Sequence, residues 1–423
     1  MRMKFNKSGQ LVLVSAASLL VAGLLTACGS TLTVDFVYVA SSKAAGPNNY
    51  GEIDVMEVNS ESGRMRAIAT SPFPSGGRNP VAEAVSTDHN NLYVVNQDDN
   101  SIVQFAIGND GKVYPQNTVN TPGVFPMAVA VTAANLFVAD TYQPLPTCSP
   151  AQPCPGSIAV FPIAAATSSV AGGALQTGTP INACNGLDYL PLKVAGVPST
   201  DVIAPAAIAV NGSNLFVAAY DMTANTGYVF GFVVGSLSCP NNPAPYTKIP
   251  TLTAMGASPL RVGTQPSAIA TDPSGKFVYL TDYEQGKIYG LVAGGSGLSF
   301  IAGEPFAAGN EPSAVAVDPS GSFAFVANSL DSTISTYTLD SNSGVLAPVT
   351  GGTYATGTQP VALIVDPSTN HYVYTANYLG GTVSGFMLTS TGGPLVTTQG
   401  ATYTTNAQPT AMAAIPHGTP AGK

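Results

Sequence analysis

The sequence predicts an all-β protein, and within that class a seven-bladed β-propeller whose N- and C-terminal strands share one blade. Three observations lead to this prediction. Short apolar strands alternate with Asp-Pro and Gly turns, one such unit recurs along the chain, and each end of the chain carries only part of a unit. Recurring units of this length, each a small antiparallel sheet, are typical of propellers.

The repeated unit is clearest in the segment 265–298. An apolar run ends in the turn 272–275, which reads Asp-Pro-Ser-Gly, and second and third strands follow at 277–280 and 288–292. Alternation and β-branched or aromatic content predict the strands, and the Asp-Pro and Gly residues predict the turns. The same order returns in the segment 311–337, so two successive sheets of one design are expected.

Seven prolines, each followed two residues later by alanine, mark the openings of seven first strands. They are Pro80, Pro126, Pro205, Pro266, Pro312, Pro360 and Pro409. Only the segment 411–415 follows the last opening, whereas 35–40 and 53–58 resemble second and third strands without a first. We therefore expect the two ends of the chain to share one sheet, which closes the ring and leaves no open edge.

The alanines after these prolines follow a packing rule. First strands crowd together near the axis of a propeller, so one of their faces must be small. The side chains between the alanines, such as Val129, Ile269 and Val315, are expected to fill the gap to the neighbouring blade.

The N-terminus has the pattern of an export signal. Three basic residues precede the apolar run Leu11–Leu25, which is too short to span a bilayer as a mature helix. The run ends in Leu25-Thr26-Ala27-Cys28, which resembles the lipobox of bacterial lipoproteins and implies lipidation of Cys28. The alternative is an ordinary secretory signal with a chance cysteine. Gly29 and Ser30 follow Cys28, and neither is an acidic residue of the kind that resembles an inner-membrane retention signal. The outer membrane is therefore the favoured location.

These signals divide the chain into a lipoprotein signal peptide, a lipid-anchored tether, the propeller and a tail. The expected bounds are 1–27, 28–33, 34–415 and 416–423. Two intervals between opening prolines are much longer than the others and predict insertions. The insertions are expected at about 141–157, 164–203 and 235–262.

Composition agrees with an exported all-β protein. Only 9% of residues are charged, and the chain has 44 Gly, 34 Pro and no Trp. Without the three basic residues of the signal peptide, 11 of the 14 Lys and Arg face 23 Asp and Glu, a net charge of −12. This acidity argues against nucleic acid or anionic membrane surfaces as partners, so membrane contact is expected through the lipid anchor only.

Four cysteines remain beside Cys28, and outside the cytoplasm an even set indicates disulfides. Of three possible pairings, we favour Cys148–Cys154 across a Pro-rich loop and Cys184–Cys239 between the two insertions. The alternative, a metal site, lacks a Cys-x-x-Cys pair or a nearby His. No cofactor and no metal are expected.

The second strands 92–96 and 372–377 resemble the Tyr-Val-Thr-Asn signature. That signature marks repeats of bacterial surface propellers related to the lactonase-type seven-bladed family, which includes phosphogluconolactonases and carboxymuconate-cyclising enzymes. The resemblance covers nearly all of the mature chain. It implies the propeller fold, and the asparagines that end these strands are expected to cap the following turns.

The enzymes of that family resemble one another in a Pro-Arg-His segment at the start of an inner strand, and this chain departs from it. None of the seven opening prolines is followed by Arg or His. His89 and His371 fall in turns at the opposite face, and His417 falls in the tail. Lactone hydrolysis needs a base and a donor for the oxyanion. Because no His is placed for catalysis, only carboxylates and Arg remain as candidates for these two roles.

Glu83 and Arg78 are the candidate catalytic pair, as base and oxyanion clamp. Glu83 interrupts an apolar inner strand, and Arg78 precedes its opening proline. The alternative is that Glu83 is a structural carboxylate, partnered by Arg78 or by a channel water. Whether the chain is an enzyme stays open at this point, with the balance towards a protein that is not one.

Tyrosines and carboxylates recur on the loops of the upper face, which carries the strand openings and the connections between second and third strands. The candidate ligand-binding residues are Asp98, Asp99, Tyr142, Tyr220, Asp282, Tyr283 and Tyr378. Around a depression they would stack on and hydrogen-bond a glycan, a peptide or an envelope protein. The alternative is an ordinary solvated rim; Asp98 and Asp99 lack the ligand spacing of a Ca²⁺ loop.

The sequence therefore predicts an exported, lipid-anchored propeller at the cell envelope, periplasmic or at the outer membrane or surface, that acts as a non-catalytic binding scaffold. The alternative is a lactone hydrolase similar to 6-phosphogluconolactonase with a degenerate active site.

Overall fold

The computed structural model describes most of the chain from Thr33 to Pro416. The described ranges are 33–43, 49–59, 62–145, 148, 154–165, 172–198, 201–295, 297–367, 372–389 and 395–416. The predicted signal peptide, Cys28, His371, His417 and the tail beyond Pro416 lie outside them. No helix in the described ranges combines the length and hydropathy needed to cross a membrane.

Seven antiparallel sheets form the blades, numbered here from the blade that contains both ends of the chain; strands are given from axis to rim. Blade 1 contains Gln408–Pro416, Thr33–Ser42, Glu52–Asn59 and Met65–Ala67, with Phe73–Pro74 beside the third strand. Blade 2 contains Pro80–Val85, Asn91–Asn96, Ser101–Ile107 and Val113–Asn120, with a 3₁₀ turn at Gln97–Asp99. Blade 3 contains Val124–Val131, Asn135–Tyr142, Ser157–Pro162 and Tyr189–Pro191.

The other four blades follow the same plan. Blade 4 contains Ile203–Asn211, Asn214–Asp221, Thr226–Ser238 and Lys248–Ala254, with Leu260–Arg261 beside the third strand. Blade 5 contains Pro266–Thr271, Phe277–Asp282, Lys287–Gly294 and Gly297–Phe300, with Phe306–Ala307 beside the third strand. Blade 6 contains Pro312–Val317, Phe323–Asn328, Thr333–Leu339 and Leu346–Ala355. Blade 7 contains Pro360–Val365, Tyr372–Asn377, Thr382–Leu388 and Leu395–Thr404.

The ends of the chain close the ring as predicted. The strand 33–42 pairs with the final strand 408–416 on one side and with 52–59 on the other. The innermost strands of all seven blades contact one another in sequence around the axis, and the last strand contacts the first strand of blade 2. The circle of sheets is therefore complete, and the prediction of seven blades with a shared closing blade is confirmed.

The inner strands use their two faces for two different neighbours. We call the packed interface between two neighbouring blades a seam. In blade 5, Ala268 packs in the seam with blade 6, whereas Ile269 packs in the seam with blade 4. In blade 6, Ala314 faces blade 7 and Val315 faces blade 5. The period of two in a strand thus places the small alanine on one seam and the larger side chain on the other, as the sequence predicts.

At three of the seams, a buried tyrosine donates a hydrogen bond to the next blade. Tyr279 donates a hydrogen bond of 2.7 Å to the carbonyl oxygen of Gly344 in the next blade. Tyr38 bonds to Gly111 and Tyr374 to Gly63 in the same way, at 3.2 and 2.8 Å. Each glycine has a positive φ, between 64° and 77°, which side chains rarely adopt. A Cβ on Gly344 would also collide with the ring of Phe277.

Two disulfides confirm the favoured pairings. Cys148 and Cys154 are joined with their Cα atoms 5.5 Å apart, and Cys184 and Cys239 with theirs 5.6 Å apart. The second bridge ties the blade 3 insertion to the long hairpin of blade 4. The Tyr246 hydroxyl supports the same junction, because it donates to the Thr177 carbonyl at 2.6 Å.

Replacing Tyr279 by Phe is expected to lower the free energy of unfolding by about 1–2 kcal/mol, because it leaves the buried Gly344 carbonyl without its partner. The matched control is Tyr93→Phe. The Tyr93 hydroxyl is also buried but has no hydrogen-bond partner among the described residues, so its loss should be neutral or stabilising. Urea denaturation of both variants checks the pair, and equal losses of stability would contradict the role given to the hydrogen bond.

Candidate functional site

A pocket of about 300 Å³ lies at the upper mouth of the channel, over the openings of blades 3, 4 and 5. Opening prolines of blades 4 and 5, Pro205 and Pro266, form part of its floor. Proline fixes φ and offers no N–H group, so these residues give the floor a rigid, apolar backbone. Pockets of this size suit small ligands.

Three of the seven predicted ligand-binding residues converge on this pocket. Tyr142, Tyr220 and Tyr283 come from three successive blades and all line it. Each lies at the end of a second strand or within one residue of it, so three successive blades each contribute one ring from their upper end. Two methionines, Met127 and Met222, complete the apolar wall.

The small disulfide braces the tyrosine wall. Tyr142, Cys148 and Ala204 belong to one buried cluster, against which Tyr220 and Phe125 also pack. Phe125 meets Tyr142 edge to face, with ring centroids 6.3 Å apart, an arrangement that adds to simple burial. Cys148 and its disulfide therefore support two tyrosines of the pocket wall.

The polar groups of the pocket are neutral. Gln265 and Ser267 line it beside the tyrosines. Ser267 donates a hydrogen bond of 2.5 Å to the carbonyl oxygen of Pro312, and Gln265 lies within hydrogen-bond reach of the Tyr220 hydroxyl. Burial raises the pKa of Tyr220, and the contact with Gln265 partly offsets that rise.

A carboxylate stands directly behind the pocket. The Tyr283 hydroxyl donates to Oε2 of Glu311 at 2.6 Å. This hydrogen bond raises the pKa of Tyr283 to about 12, with smaller contributions from burial and the charge of Glu311. Glu311 precedes the opening proline of blade 6 with φ at +50°, in the left-handed region. Backbone strain of this kind persists only where the surroundings impose it.

Sequence reasoning missed four of these residues, Met127, Met222, Gln265 and Glu311. A signal was available for the last two, because both occupy the position directly before an opening proline. The methionines carry no signal of their own, since Met is found in many apolar cores.

The other predicted ligand-binding residues lie outside this pocket. The Asp282 carboxylate is fully buried and accepts hydrogen bonds from the backbone N–H groups of Thr264 and Gln265, at 2.6 and 3.1 Å. It therefore positions the loop that carries Gln265. Asp98 accepts from the Asn79 side chain at 3.2 Å. Tyr378 lies on a loop of blade 7, across the ring.

Arg78 and Glu83 are not brought together. The Arg78 guanidinium binds Asp99, with Nε 2.7 Å from Oδ1, and its backbone N–H donates to the same carboxylate at 2.7 Å. This hydrogen-bonded pair raises the pKa of Arg78 and contributes to lowering that of Asp99. Both residues line a polar cleft on blade 2, separate from the tyrosine pocket.

Glu83 lies in the seam between blades 1 and 2. It occupies the position that Val129 and Ile269 take in other blades, and neither carboxylate oxygen has a hydrogen bond of normal geometry among the described residues. Burial raises its pKa well above the ordinary value, and the N–H groups of Ala413 and Ala40 offset this only in part. A carboxyl group that keeps its proton is a poor general base.

Asp140 is a second buried carboxylate, beneath Thr141 and Tyr142 of the pocket wall. Burial raises the pKa of Asp140 to about 7, and the neighbouring Thr121 hydroxyl and Gly123 N–H offset only part of the rise. Blades 2, 6 and 7 have Asn at the equivalent end of the second strand, at 96, 328 and 377. Because the Asn side chain is uncharged, its burial at this position avoids the desolvation cost of a carboxylate.

The remaining features of the described chain offer weaker sites. No group of three or more His, Cys, Asp and Glu within the described ranges is arranged to hold a metal ion. His89 lies in a lower-face turn of blade 2. A larger cavity of about 850 Å³ opens on the lower face beside the blade 4 hairpin. Among its described lining residues, Lys248 is the one that carries a charge, and none of them is a predicted site residue.

A closed ring of seven four-stranded blades with a small pocket over the channel mouth defines the class of protein as a seven-bladed propeller with a ligand-sized site on its upper face. The chain belongs to the family described as lactonase, seven-bladed β-propeller, whose sequence pattern matches residues 37–170 and 234–361. This confirms the family expected from the Tyr-Val-Thr-Asn-like strands.

Solved structures share the fold. A protein from Bacteroides fragilis, described as a candidate 6-phosphogluconolactonase, has a TM-score of 0.69 at 20% identity, over 92% of this chain and 99% of that one. A periplasmic gluconolactonase from Pseudomonas aeruginosa has a TM-score of 0.64 at 19% identity, over 90% and 99% of the two chains. At these identities the likeness shows the shared fold alone. Among curated proteins, no sequence matches the chain.

The Asp140→Asn variant is expected to be more stable than the parent at pH 8 and nearly equal to it at pH 4. Burial raises the pKa of Asp140 from 3.8 to about 7 in the folded protein. Its contribution to the free energy of unfolding is therefore full below pH 3.8 and is lost as pH rises through 7. The gain at pH 8 should be on the order of 2–4 kcal/mol, measured by urea denaturation at both values.

Asp282→Asn is the control for this prediction. The Asp282 carboxylate accepts hydrogen bonds from three backbone N–H groups, those of Thr264, Gln265 and Gln285. An amide has one accepting oxygen, so this variant should lose stability at pH 8. If both variants changed stability in the same direction, the account of Asp140 would be wrong.

Proposed function

We propose that the protein is an exported hydrolase of small lactones that binds its substrate in the tyrosine pocket. The observation that carries the proposal is the Tyr283–Glu311 pair, which sets a carboxylate against a neutral, hydroxyl-lined pocket in a lactonase-family propeller. The names of the similar structures support lactone chemistry for this fold, and the pocket supplies the groups that such chemistry needs.

Glu311 is the proposed general base. Its Oε2 is held by Tyr283, and its other oxygen has no hydrogen-bond partner among the residues that the structure describes, which leaves it available to a water molecule. Glu311 removes a proton from that water as the water oxygen bonds to the lactone carbonyl carbon. It returns the proton to the ring oxygen when the carbon–oxygen bond breaks, which yields the hydroxy acid.

Gln265 and Tyr220 are the proposed donors to the oxyanion. Both line the pocket, and an amide N–H and a phenolic O–H are suitable donors. Asp282 fixes the Gln265 backbone, so the amide starts from a defined position. These donors replace the Arg and His that the family resemblance implies and that are absent after all seven opening prolines.

The non-catalytic scaffold expected from the sequence remains the rival use of the same pocket. A glycan, peptide or envelope protein would contact the same three tyrosines without needing Glu311. Turnover separates the two functions, since a scaffold binds without hydrolysis.

We also propose that the protein is anchored to the cell envelope through a lipid on Cys28. The two disulfides support an exported protein. Thr33 begins its strand on the lower face, beside the end of the final strand. Four residues lie between Cys28 and Thr33, and the five Cα–Cα steps that join the two span at most about 18 Å. The lower face would then lie against the membrane, and the pocket would open towards the aqueous phase.

Glu311→Gln is expected to lower kcat for lactone hydrolysis by about 10²–10³-fold, because the amide cannot accept the proton. Tyr283→Phe should lower it less, since the carboxylate remains but loses its fixed position. Hydrolysis of gluconolactone by the purified protein, corrected for the spontaneous rate, measures the effects. Glu83→Gln is the control and should keep the parent rate. Loss of hydrolysis in Glu83→Gln with full activity in Glu311→Gln would reverse the assignment.

Cys28→Ser is expected to abolish incorporation of labelled palmitate and to move the protein from the membrane fraction to the soluble exported fraction, because the thiol that carries the lipid is gone. The double variant Cys148→Ser/Cys154→Ser should keep the label. Equal labelling of Cys28→Ser and the parent would contradict lipidation at this residue.

A further inference from the structure

The described lining of the tyrosine pocket carries no positive charge, since none of these residues is Lys, Arg or His. Four of the cations elsewhere are held in ion pairs, which join Lys43 to Glu52, Arg66 to Glu57, Arg78 to Asp99 and Lys112 to Asp110. One charged group contacts the tyrosine wall, the Glu311 carboxylate, which accepts the hydrogen bond of Tyr283 and makes the electrostatic field beside that ring negative.

Backbone donors, the other means of binding a phosphate, are reduced in this pocket. Pro205 and Pro266 have no N–H group. The N–H groups of Met222 and Tyr283 donate to the carbonyl oxygens of Val202 and Gln265, each at 2.9 Å. The described chain contains no α-helix whose N-terminus would reach the site. A dianionic phosphate would therefore lose its hydration without gaining a cation from the described lining residues.

The groups that are present suit hydroxyls. Gln265 can donate and accept, the Tyr220 hydroxyl can do both, and the oxygens of Ser267 and Thr141 donate to carbonyls while their lone pairs stay able to accept. The tyrosine rings offer faces for the C–H surface of a ring-shaped ligand. This combination recognises a small polyhydroxylated molecule without charge.

We propose that the substrate is an uncharged sugar lactone, and that the pocket selects against the phosphorylated counterpart. The inference rests on the proposed lactone hydrolase function and adds the substrate class. The charge of the pocket distinguishes this chain from an enzyme that acts on a phosphorylated sugar. The fold does not make this distinction, because both kinds of lactonase share it.

The test compares gluconolactone with 6-phosphogluconolactone. We expect kcat/KM of the purified protein to favour the uncharged lactone by at least about tenfold, since a doubly charged group beside a carboxylate is repelled at close range. A preference for the phosphorylated lactone would overturn the substrate class while leaving the hydrolase function intact.

Three variants test the electrostatic cause. Met222 lies at the rim of the pocket and is 51% exposed, so it can accept a longer polar side chain without disturbing the core. Met222→Lys should narrow the ratio of the two kcat/KM values by about tenfold, whereas Met222→Gln should not, because it has similar length and no charge. Leu379→Lys adds the same charge to an exposed loop of blade 7 and should leave the ratio unchanged.

Measurements of ligand binding distinguish failure of the hydrolase function from failure of the charge selection. If neither lactone is hydrolysed, the hydrolase function fails, and calorimetry with gluconate and 6-phosphogluconate then tests charge selection alone. Tighter binding of gluconate, weakened by Tyr220→Phe, supports the uncharged class. Tighter binding of the phosphorylated acid, no binding of either acid, or an equal effect of Met222→Lys and Leu379→Lys would refute the inference.

Discussion

The packing of an aromatic-x-tyrosine pair against a glycine of the next blade is the interaction on which the disc depends. Phe277 and Tyr279 of blade 5 make this contact with Gly344 of blade 6, where the ring fills the space of a missing side chain and the hydroxyl binds the carbonyl. Phe36 with Tyr38, and Tyr372 with Tyr374, repeat it at two other seams. A propeller has no single core, so its rigidity is the sum of such seams.

Rigid seams allow one repeated position to build the upper face. In blades 2, 5, 6 and 7 the second strand ends in Asn or Asp, at 96, 282, 328 and 377, and in blades 5 and 6 this side chain holds the loop entering the same blade. Asp282 holds Thr264 and Gln265, and Asn328 accepts from the Gly309 N–H. These hydrogen bonds fix the loops that enter blades 5 and 6, which carry Gln265 and Glu311.

The carboxylates of the chain are sorted by the environments that the fold gives them. Glu83 and Asp140 are buried at seams and loop bases, where burial raises their pKa values and favours the protonated form. Asp99 is bound to Arg78. Glu311 differs because it is half-buried at the mouth, with one oxygen on a tyrosine of the pocket. The chemistry proposed for this protein follows from that one placement, and the neutrality of the surrounding wall sets the substrate class.

The sequence by itself determined the number of blades, the shared closing sheet, the two disulfide pairs and the three tyrosines of the pocket. The signals for the blades are local, since turn residues and strand periodicity act over a few residues and repeat along the chain. The closing sheet follows from the count of these repeats, and the Cys184–Cys239 pair, 55 residues apart, follows from the even set of cysteines. The sequence offered Arg78 as a partner of Glu83, but Arg78 binds Asp99 instead. From the sequence, Glu83 and Glu311 both stand at or near the opening of an inner strand, and Arg78 lies close to Glu83. Only the tertiary structure decided that Glu83 faces a seam, that Asp99 binds Arg78, and that Glu311 meets Tyr283 from the preceding blade. The reason is that these contacts join residues of different strands and blades, and the closure of the ring, rather than any local pattern, brings them within reach of one another.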